Sequence, residues 1–181
     1  MKTLYKLLGI ILLSVVIFSG CNENMSDSSS VSGNHGSLLK GLGPSASGQG
    51  RIVGSDRVFA FNVITHPNGV IQGQGTLNRT DISVRFKFNI DCLTVNDNVA
   101  TMSGTITDSN IPEVIGAPCW FRVKDNGEGS NAPPDEITYL YYCPDNQPDC
   151  EIVACGEDLK DENGDDVPLI AIEEGNIQVM D

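Results

Sequence analysis

The sequence predicts an all-β fold in which an antiparallel meander closes into a barrel or a barrel-like sandwich. After residue 50, apolar and polar residues alternate with a period of two, which is typical of strands with one buried and one wet face. Short segments rich in turn-forming residues separate these runs, as in successive β-hairpins. Beyond the first 20 residues, no segment shows the convincing 3.6-residue period of a helix.

The clearest predicted strand is "SVRFKFNID" at 83–91, in which every second residue is apolar. In "RVFAFNVIT" at 57–65, the apolar residues at 59, 61 and 63 share one face. Further strands are predicted near 70–77, 98–107, 119–124, 137–142, 150–155 and 168–179. The phenylalanines of these strands are expected to fill the core, and they are Phe59, Phe61, Phe86, Phe88 and Phe121.

Turn signals lie between these predicted strands. The segment His-Pro-Asn-Gly at 66–69 combines a proline that presets φ with an Asn-Gly pair that tolerates positive φ. Similar polar turns are expected at 96–98, 126–127 and 163–165. Glycines within predicted strands indicate bends or bulges where the sheet curls, and these are Gly73, Gly75 and Gly104.

The first 20 residues have the pattern of an export signal. Lys2 and Lys6 precede an apolar segment at 7–18, and the small residues Ser19 and Gly20 follow it. A membrane-spanning helix needs about 20 apolar residues, so this segment is too short to anchor the chain by itself. The sequence therefore predicts a signal peptide that is removed in the mature protein.

The segment Phe-Ser-Gly-Cys at 18–21 resembles the lipobox of bacterial lipoproteins. The resemblance implies that Cys21 becomes the first mature residue and carries acyl chains such as palmitate. Two or more acyl chains hold a protein stably on a membrane. We therefore expect a lipid-anchored, extracytoplasmic protein of the bacterial cell envelope, in the outer membrane if the host has one. The alternative is an ordinary cleaved signal followed by an incidental cysteine.

Residues 21–50 are predicted to form a flexible tether between the signal peptide at 1–20 and the folded domain. This segment is rich in Ser, Gly and Asn and contains almost no β-branched or aromatic residues. It cannot bury enough apolar surface to offset the entropy cost of ordering its backbone. The folded all-β domain is predicted at 51–181, which is long enough for one hydrophobic core.

The chain has a formal net charge of −13 at pH 7, and this charge is unevenly distributed. Residues 22–107 contain equal numbers of acidic and basic side chains, whereas residues 108–181 contain 18 acids and three bases. Such an acidic chain repels phosphate backbones, which excludes nucleic acid as an expected partner. The acidic excess favours a solvated, solubilising surface, with a cation-binding surface as the alternative.

Five cysteines besides Cys21 are candidates for disulfide bonds, which persist in the oxidising compartments that export implies. Because five is odd, at most two intramolecular bridges form and one thiol is left over. One pair among the three cysteines within 143–155 is expected to close a local loop, while the other two either pair or are buried separately. The candidates are Cys92, Cys119, Cys143, Cys150 and Cys155.

The segment "DNGEGSNAPPDE" is the richest cluster of oxygen ligands in the chain. Its carboxylates Asp125, Glu128 and Asp135, together with loop carbonyls, are candidate ligands for Ca²⁺, which binds six to eight oxygens. The alternative is a hairpin loop in which Asp125 accepts hydrogen bonds from nearby backbone amides. In the acidic segment 157–166, the spacing between acids and glycine does not fit an EF-hand, which favours a solvated loop. No other cofactor is expected.

Five segments, taken in order, resemble the post-COAP-1 domain, a small all-β domain of exported bacterial proteins. The resemblance covers roughly residues 50–180, is most specific in the second half, and implies a β-rich extracytoplasmic module without known catalytic residues. This chain departs from the pattern by its cysteines and acidic loop between the last strands. The segments are "FAFNV" at 59–63, "GQGTL" at 73–77, "CLTVNDNVATMSGT" at 92–105, "FRVKDNGEG" at 121–129 and "GNIQV" at 175–179.

No catalytic motif points to an enzyme. "RIVG" at 51–54 resembles the activated start of trypsin-like proteases, but the chain has no Gly-Asp-Ser-Gly segment, and His66 lies in a predicted turn. The sequence therefore predicts a non-enzymatic binding or structural module that contacts the membrane through its lipid anchor and presents a surface to an envelope protein, a glycan or cations. The alternatives are a carrier with an apolar ligand inside the barrel and a hydrolase with an unrecognised site.

Overall fold

The structure, a computed structural model, describes residues 43–129, 131–145, 147 and 150–181. These residues form antiparallel strands and a short 3-10 turn, which confirms the predicted all-β class. The predicted signal peptide, Cys21 and the tether up to residue 42 lie outside the described residues. In chain order the strands are β1 (Ser45–Ile52), β2 (Arg57–Thr65), β3 (Ile71–Arg79), β4 (Val84–Asn96), β5 (Val99–Ser109), β6 (Pro118–Lys124), β7 (Glu136–Ile137), β8 (Tyr141–Tyr142) and β9 (Ile170–Met180).

The strands close into an antiparallel barrel. β1 to β6 pair in chain order as successive hairpins, and β6 then pairs with β7. β9 closes the ring because it pairs with β7 at its start and with β1 along most of its remaining length. β8 adds a second short pairing to β6. The predicted meander that closes into a barrel is thus confirmed.

Most of the first strand lies inside the segment predicted to be a tether. β1 pairs with β2 on one edge and with β9 on the other, so the folded domain begins before residue 51 and the predicted boundary is wrong. The composition of this strand resembles that of a flexible tether because most of its inward-facing residues are small, namely Ala46, Gly48 and Gly50. Backbone ladders on both edges hold the strand instead, with a register shift on the β9 edge between Gln49 and Arg51, and Ile52 is fully buried at its end.

Glycines and aromatic rings alternate across an inward-facing row of the barrel. Gly48 pairs with Phe61, Phe61 with Gly75, and Gly75 with Phe88. A β-carbon at Gly75 would overlap the ring of Phe88, and one at Gly48 would lie 2.9 Å from the ring of Phe61. Each glycine therefore provides the space that a neighbouring ring occupies. The rings of Phe61 and Phe88 both pack edge-on against Phe121, with centroid distances of 5.3 and 5.6 Å.

The predicted irregularities in the sheet are confirmed at one glycine. The β4–β5 ladder shifts its register between Ile90 and Cys92, next to the pairing of Ile90 with Gly104. Gly73 and Gly75 lie in a regular β2–β3 ladder, so their role is to make room for side chains. All five phenylalanines predicted to form the core are buried.

The strand predicted near 137–142 is broken into β7 and β8. Both pieces pair with β6, on the edge that β5 leaves free. Between them, the hydroxyl of Thr138 accepts a hydrogen bond from the Arg122 amide at 3.0 Å and donates one to the Tyr139 carbonyl at 2.9 Å. A side chain thus replaces a backbone partner, which a period-two pattern does not reveal.

The strand predicted near 150–155 is absent from the structure. Residues 150–155 are irregular and belong to a segment that packs on the outer face of β6. There Trp120 is fully buried and its indole Nε1 donates to the carbonyl of Glu157 at 3.2 Å. The buried and exposed residues expected to alternate along β6 are therefore not observed, because this segment also covers the outward-facing residues of the strand.

The disulfide bonds confirm one expectation and correct another. Cys143 and Cys150 form the expected local bridge, with a Cα–Cα distance of 5.4 Å. Cys92 pairs with Cys155 at a Cα–Cα distance of 5.7 Å and not with Cys119. Cys119 is the free thiol and lies in the core. Its burial, together with the negative charge of Asp91, raises the pKa of the Cys119 thiol to about 12.

Candidate functional site

The carboxylates of the three predicted calcium ligands form hydrogen bonds with other groups of the same chain. Each of the three carboxylates accepts a hydrogen bond from β9, the strand that closes the barrel. Within the described part of the chain, no group of three or more His, Cys, Asp or Glu side chains is placed to hold a metal ion. Asp125 accepts from the Val179 amide at 3.0 Å and Asp135 from the Ile177 amide at 2.7 Å. Glu128 accepts from the side-chain amide of Asn176 at 2.9 Å.

Asp125 and Asp135 accept hydrogen bonds from backbone amides of β9 that a neighbouring strand would otherwise accept. β7 is two residues long and pairs with β9 only at Ile170 and Ala171, next to which the Asp135 carbonyl accepts from the Ile172 amide at 2.8 Å. Among the described residues, no strand pairs with the remainder of that edge of β9. Asp135, which is 6% exposed, also accepts from the amide of Asn126 at 2.8 Å. Asp125 likewise accepts from Gly127 at 2.8 Å, as in the hairpin-loop alternative. In the structure these carboxylates thus serve as acceptors for backbone amides and hold the closing strand.

A different surface has the character of a binding site. On the outer faces of β9, β1, β2, β3 and β4, one uncharged polar residue follows another in direct cross-strand pairing. This row runs from Gln178 to Ser47, Asn62, Gln74 and Asn89. A second row beside it runs from Asn176 to Gln49, Ala60 and Thr76. We call these nine residues the amide face.

The amide face lines an open groove with a volume of about 850 Å³. All nine of its residues contribute, and the rest of the lining comes from Gly48, Phe61, Gly73, Gly75, Lys87, Phe88 and Thr107. Lys87 is the one titratable residue in the lining, and it lies at the margin, where Asp108 approaches its Nζ at 3.1 Å. The groove is therefore uncharged over most of its length, although the chain as a whole is strongly acidic.

Several side chains of the amide face are available to a ligand. Asn176 donates to Glu128, and Asn89 accepts from the Thr105 amide at 2.8 Å. The other amides of the face have no hydrogen-bond partner among the described residues and are exposed. Each primary amide offers two N–H donors and a carbonyl acceptor. The partner-free amides belong to Gln49, Asn62, Gln74 and Gln178.

The interior of the barrel is filled. The cavity beneath the amide face, lined by residues such as Phe59, Leu77 and Phe121, measures about 10 Å³, which is no larger than the space for a single water. A cavity of this size does not accommodate the apolar ligand that the predicted carrier would hold. The outer groove is therefore the larger and more accessible site.

The remaining candidates lie outside the groove. His66 is in the predicted turn, where its carbonyl accepts from the Gly69 amide at 2.8 Å and its Nε2 lies 3.3 Å from Gln72 Oε1. In the acidic segment, Asp161 accepts from the amides of Asn163 and Asp165 at 2.8 and 3.0 Å. Those backbone hydrogen bonds lower the pKa of Asp161. Both regions are structural turns of the kind predicted.

Comparisons with models of known protein families, with curated proteins and with solved structures found no match. None of the described residues forms a helix long and apolar enough to cross a membrane.

The groove was not predicted from the sequence. The outward positions of its strands have the pattern of a solvent-exposed face, and the candidate sites in the sequence were carboxylates and His66. A signal was present, since the outward positions of "SASGQG", "FAFNV", "QGQGTL" and "NIQV" carry amides, hydroxyls and alanine but no charge. Charged residues make up 19% of the chain, so the lack of charge at these outward positions on four strands is the feature by which the surface could have been recognised.

Proposed function

We propose that the chain is a lipid-anchored protein of the bacterial cell envelope whose barrel is a non-enzymatic binding module. The amide face is its binding surface. The observation that carries this proposal is the open groove of about 850 Å³ lined by uncharged hydrogen-bonding side chains. Ligand sites in proteins commonly have volumes of about 300–1,000 Å³, so the groove has the size of a binding site.

The chemistry of the lining supports binding over catalysis. General acid or base catalysis needs a titratable group within reach of the substrate, and the groove contains Lys87 alone, which is paired with Asp108. The amides of the lining can donate and accept hydrogen bonds without exchanging protons. The filled interior supports an external binding surface over a carrier function.

The envelope location rests on the sequence of the first 21 residues. The apolar segment and the lipobox-like residues before Cys21 support export and acylation, and the resemblance to the post-COAP-1 domain supports an extracytoplasmic module. Metabolic labelling with palmitate tests the anchor directly. We expect label in the wild-type protein and none in Cys21→Ala, and equal labelling of both would contradict acylation at this residue.

Sedimentation with envelope fragments tests the binding surface. Full-length protein is mixed with detergent-extracted envelope fragments of its own host, in which lipid no longer retains the anchor. We expect the wild type to sediment and the double variant Asn62→Leu/Gln74→Met, which removes two partner-free amides at similar side-chain volume, to bind at least tenfold more weakly. Gln72→Met is the matched control, because Gln72 faces outward on the same strand but does not line the groove. Equal sedimentation of all three proteins, or none by the wild type, would reject the proposed surface.

A further inference from the structure

We infer that the ligand of the amide face is an uncharged polysaccharide that lies across the strands. This inference rests on the proposed function and names the chemical class of the ligand. Three features of the surface lead to it, namely its charge, the hydrogen-bonding character of its side chains, and the spacing and closure of the strands that carry them.

The scarcity of charge in the groove, where Lys87 is the one charged residue of the lining and is paired with Asp108, favours an uncharged partner. The chain carries 24 acidic side chains, yet none of them lines the groove. An anionic ligand would be repelled by the net charge of the molecule, and a cationic one would be drawn to its acidic second half. An uncharged ligand gains most from a surface whose interactions are directional hydrogen bonds.

The partner-free amides match hydroxyl groups. A hydroxyl group donates one hydrogen bond and accepts two, and a primary amide offers both donors and an acceptor, so a Gln or Asn side chain can bind adjacent hydroxyls of a sugar ring. Gln49, Asn62, Gln74 and Gln178 are all exposed and have no partner within the described chain. Hydroxyl-rich ligands are therefore the class that satisfies the largest number of these groups.

The closed barrel disfavours an extended peptide. Peptides commonly add to a sheet through a free strand edge, but β1, β2, β3 and β4 are each paired on both edges. The outward side chains of the face include one small apolar group, Ala60, and are otherwise polar. The face thus presents side-chain amides and hides its backbone, as suits a ligand that is recognised through hydroxyls.

The spacing of the first row suits a repeating polymer. Neighbouring strands in a sheet lie about 4.8 Å apart, which is close to the length of one sugar unit along a polysaccharide. The row from Gln178 to Asn89 contains five polar positions on five successive strands and therefore extends about 19 Å. A chain of about four or five sugars across the strands would meet one polar side chain per unit.

Chemical treatment of the envelope fragments tests the ligand class separately from the proposed function. Periodate cleaves vicinal diols of sugars, and protease removes polypeptides, so each treatment destroys one class of ligand. We expect the full-length protein to lose at least tenfold in binding to periodate-treated fragments and to retain binding to protease-treated ones. Addition of 0.5 M salt, a concentration at which electrostatic attraction is largely screened, should leave the binding unchanged.

The outcomes distinguish the two proposals. Binding that depends on Asn62 and Gln74, survives periodate and disappears after protease treatment would overturn the polysaccharide and leave the amide face as a protein-binding surface. Binding that falls steeply with salt would likewise overturn an uncharged ligand. Failure of the wild type to bind untreated fragments would reject the inference together with the proposed function.

Discussion

Asp135 is a single residue that helps to hold the closing strand β9 in place. Its two carboxylate oxygens accept hydrogen bonds from the amides of Asn126 and Ile177 at 2.8 and 2.7 Å. One of these amides is in the adjacent loop and the other is 42 positions away in the closing strand. A buried carboxylate is costly unless hydrogen bonds satisfy it, and here the two backbone amides do so.

Asp135→Asn is expected to destabilise the fold. The amide side chain retains one acceptor oxygen but turns an NH₂ group toward a backbone N–H, so one buried donor loses its partner. Hydrogen bonds to charged groups contribute about 1.5–3 kcal/mol each, so we expect the free energy of unfolding to fall by about 3 kcal/mol. Chemical denaturation followed by tryptophan fluorescence measures this change, because the single Trp120 is fully buried.

Asp165→Asn provides the control for this measurement. Asp165 is an exposed acid in the turn after Asn163, and its substitution removes the same charge without opening a buried hydrogen bond. Surface changes of this kind alter stability by no more than about 0.5 kcal/mol. Similar unfolding midpoints for both variants would show that Asp135 contributes charge alone.

At the residue scale, the sequence predicted which carboxylates matter but not what they bind. The acidic, glycine-bearing loop was recognisable, and both a calcium site and amide acceptors were consistent with it. The deciding partners of Asp125 and Asp135 lie 54 and 42 residues further along the chain. A contact across that distance depends on how the barrel closes, which local sequence does not record.

At the scale of elements, the positions of the strands can be predicted from the local sequence pattern. The packing of side chains inside the barrel depends on the register between strands. The alternation of Phe86, Phe88 and Ile90 in β4 was visible in the sequence, because side-chain direction alternates along any strand. The fit of Phe88 over Gly75 was not visible, since it requires the register between β3 and β4. The same register places Gln74 beside Asn89 and so creates the amide face.

Gly75→Ala is expected to destabilise the barrel through a steric conflict. The added β-carbon would overlap the Phe88 ring, and overpacking of a core typically costs about 1–3 kcal/mol. The outward-facing Thr76→Ala on the same strand is the control, with an expected change within about 0.5 kcal/mol. Urea denaturation of both variants gives the comparison.

A double-mutant cycle with Phe88→Leu tests whether the destabilisation by Gly75→Ala arises from a conflict with the Phe88 ring. If the ring and the new methyl group conflict, Gly75→Ala/Phe88→Leu should lose less stability than the two single variants together, with a coupling energy of about 0.5–3 kcal/mol. Simple additivity would show that the cost of Gly75→Ala arises elsewhere in the strand.

At the scale of the molecule, the acidic segment between β8 and β9 lies over the outer face of β6. The Arg122 guanidinium of β6 lies 2.8 Å from the Asp158 carboxylate and also donates to the Val167 carbonyl at 3.2 Å. Trp120 is covered by the same segment through its bond to Glu157. The acidic residues thus pack over β6, and the strands of the amide face keep their uncharged outer surface.

The Cys92–Cys155 bridge fixes this segment to β4, and its removal should cost more than removal of Cys143–Cys150. The two bridges span 63 and 7 residues. A disulfide restricts the unfolded chain more strongly when it closes a longer loop, and the loop-entropy relation gives about 4 kcal/mol for the first and about 2 kcal/mol for the second. Guanidinium denaturation of Cys92→Ala/Cys155→Ala and Cys143→Ala/Cys150→Ala, without reductant, measures both losses.

Thiol counts check the bonding pattern on which this comparison depends. In a Cys21→Ala background, Ellman's reagent should detect no thiol in the native protein, because Cys119 is buried and its pKa is raised to about 12. One thiol should appear after denaturation, in the parent protein and in both double variants.

A larger loss of stability for the 143–150 pair than for the 92–155 pair would show that the long bridge does not limit the unfolded chain. The acidic segment would then be held mainly by its contacts with Trp120 and Arg122.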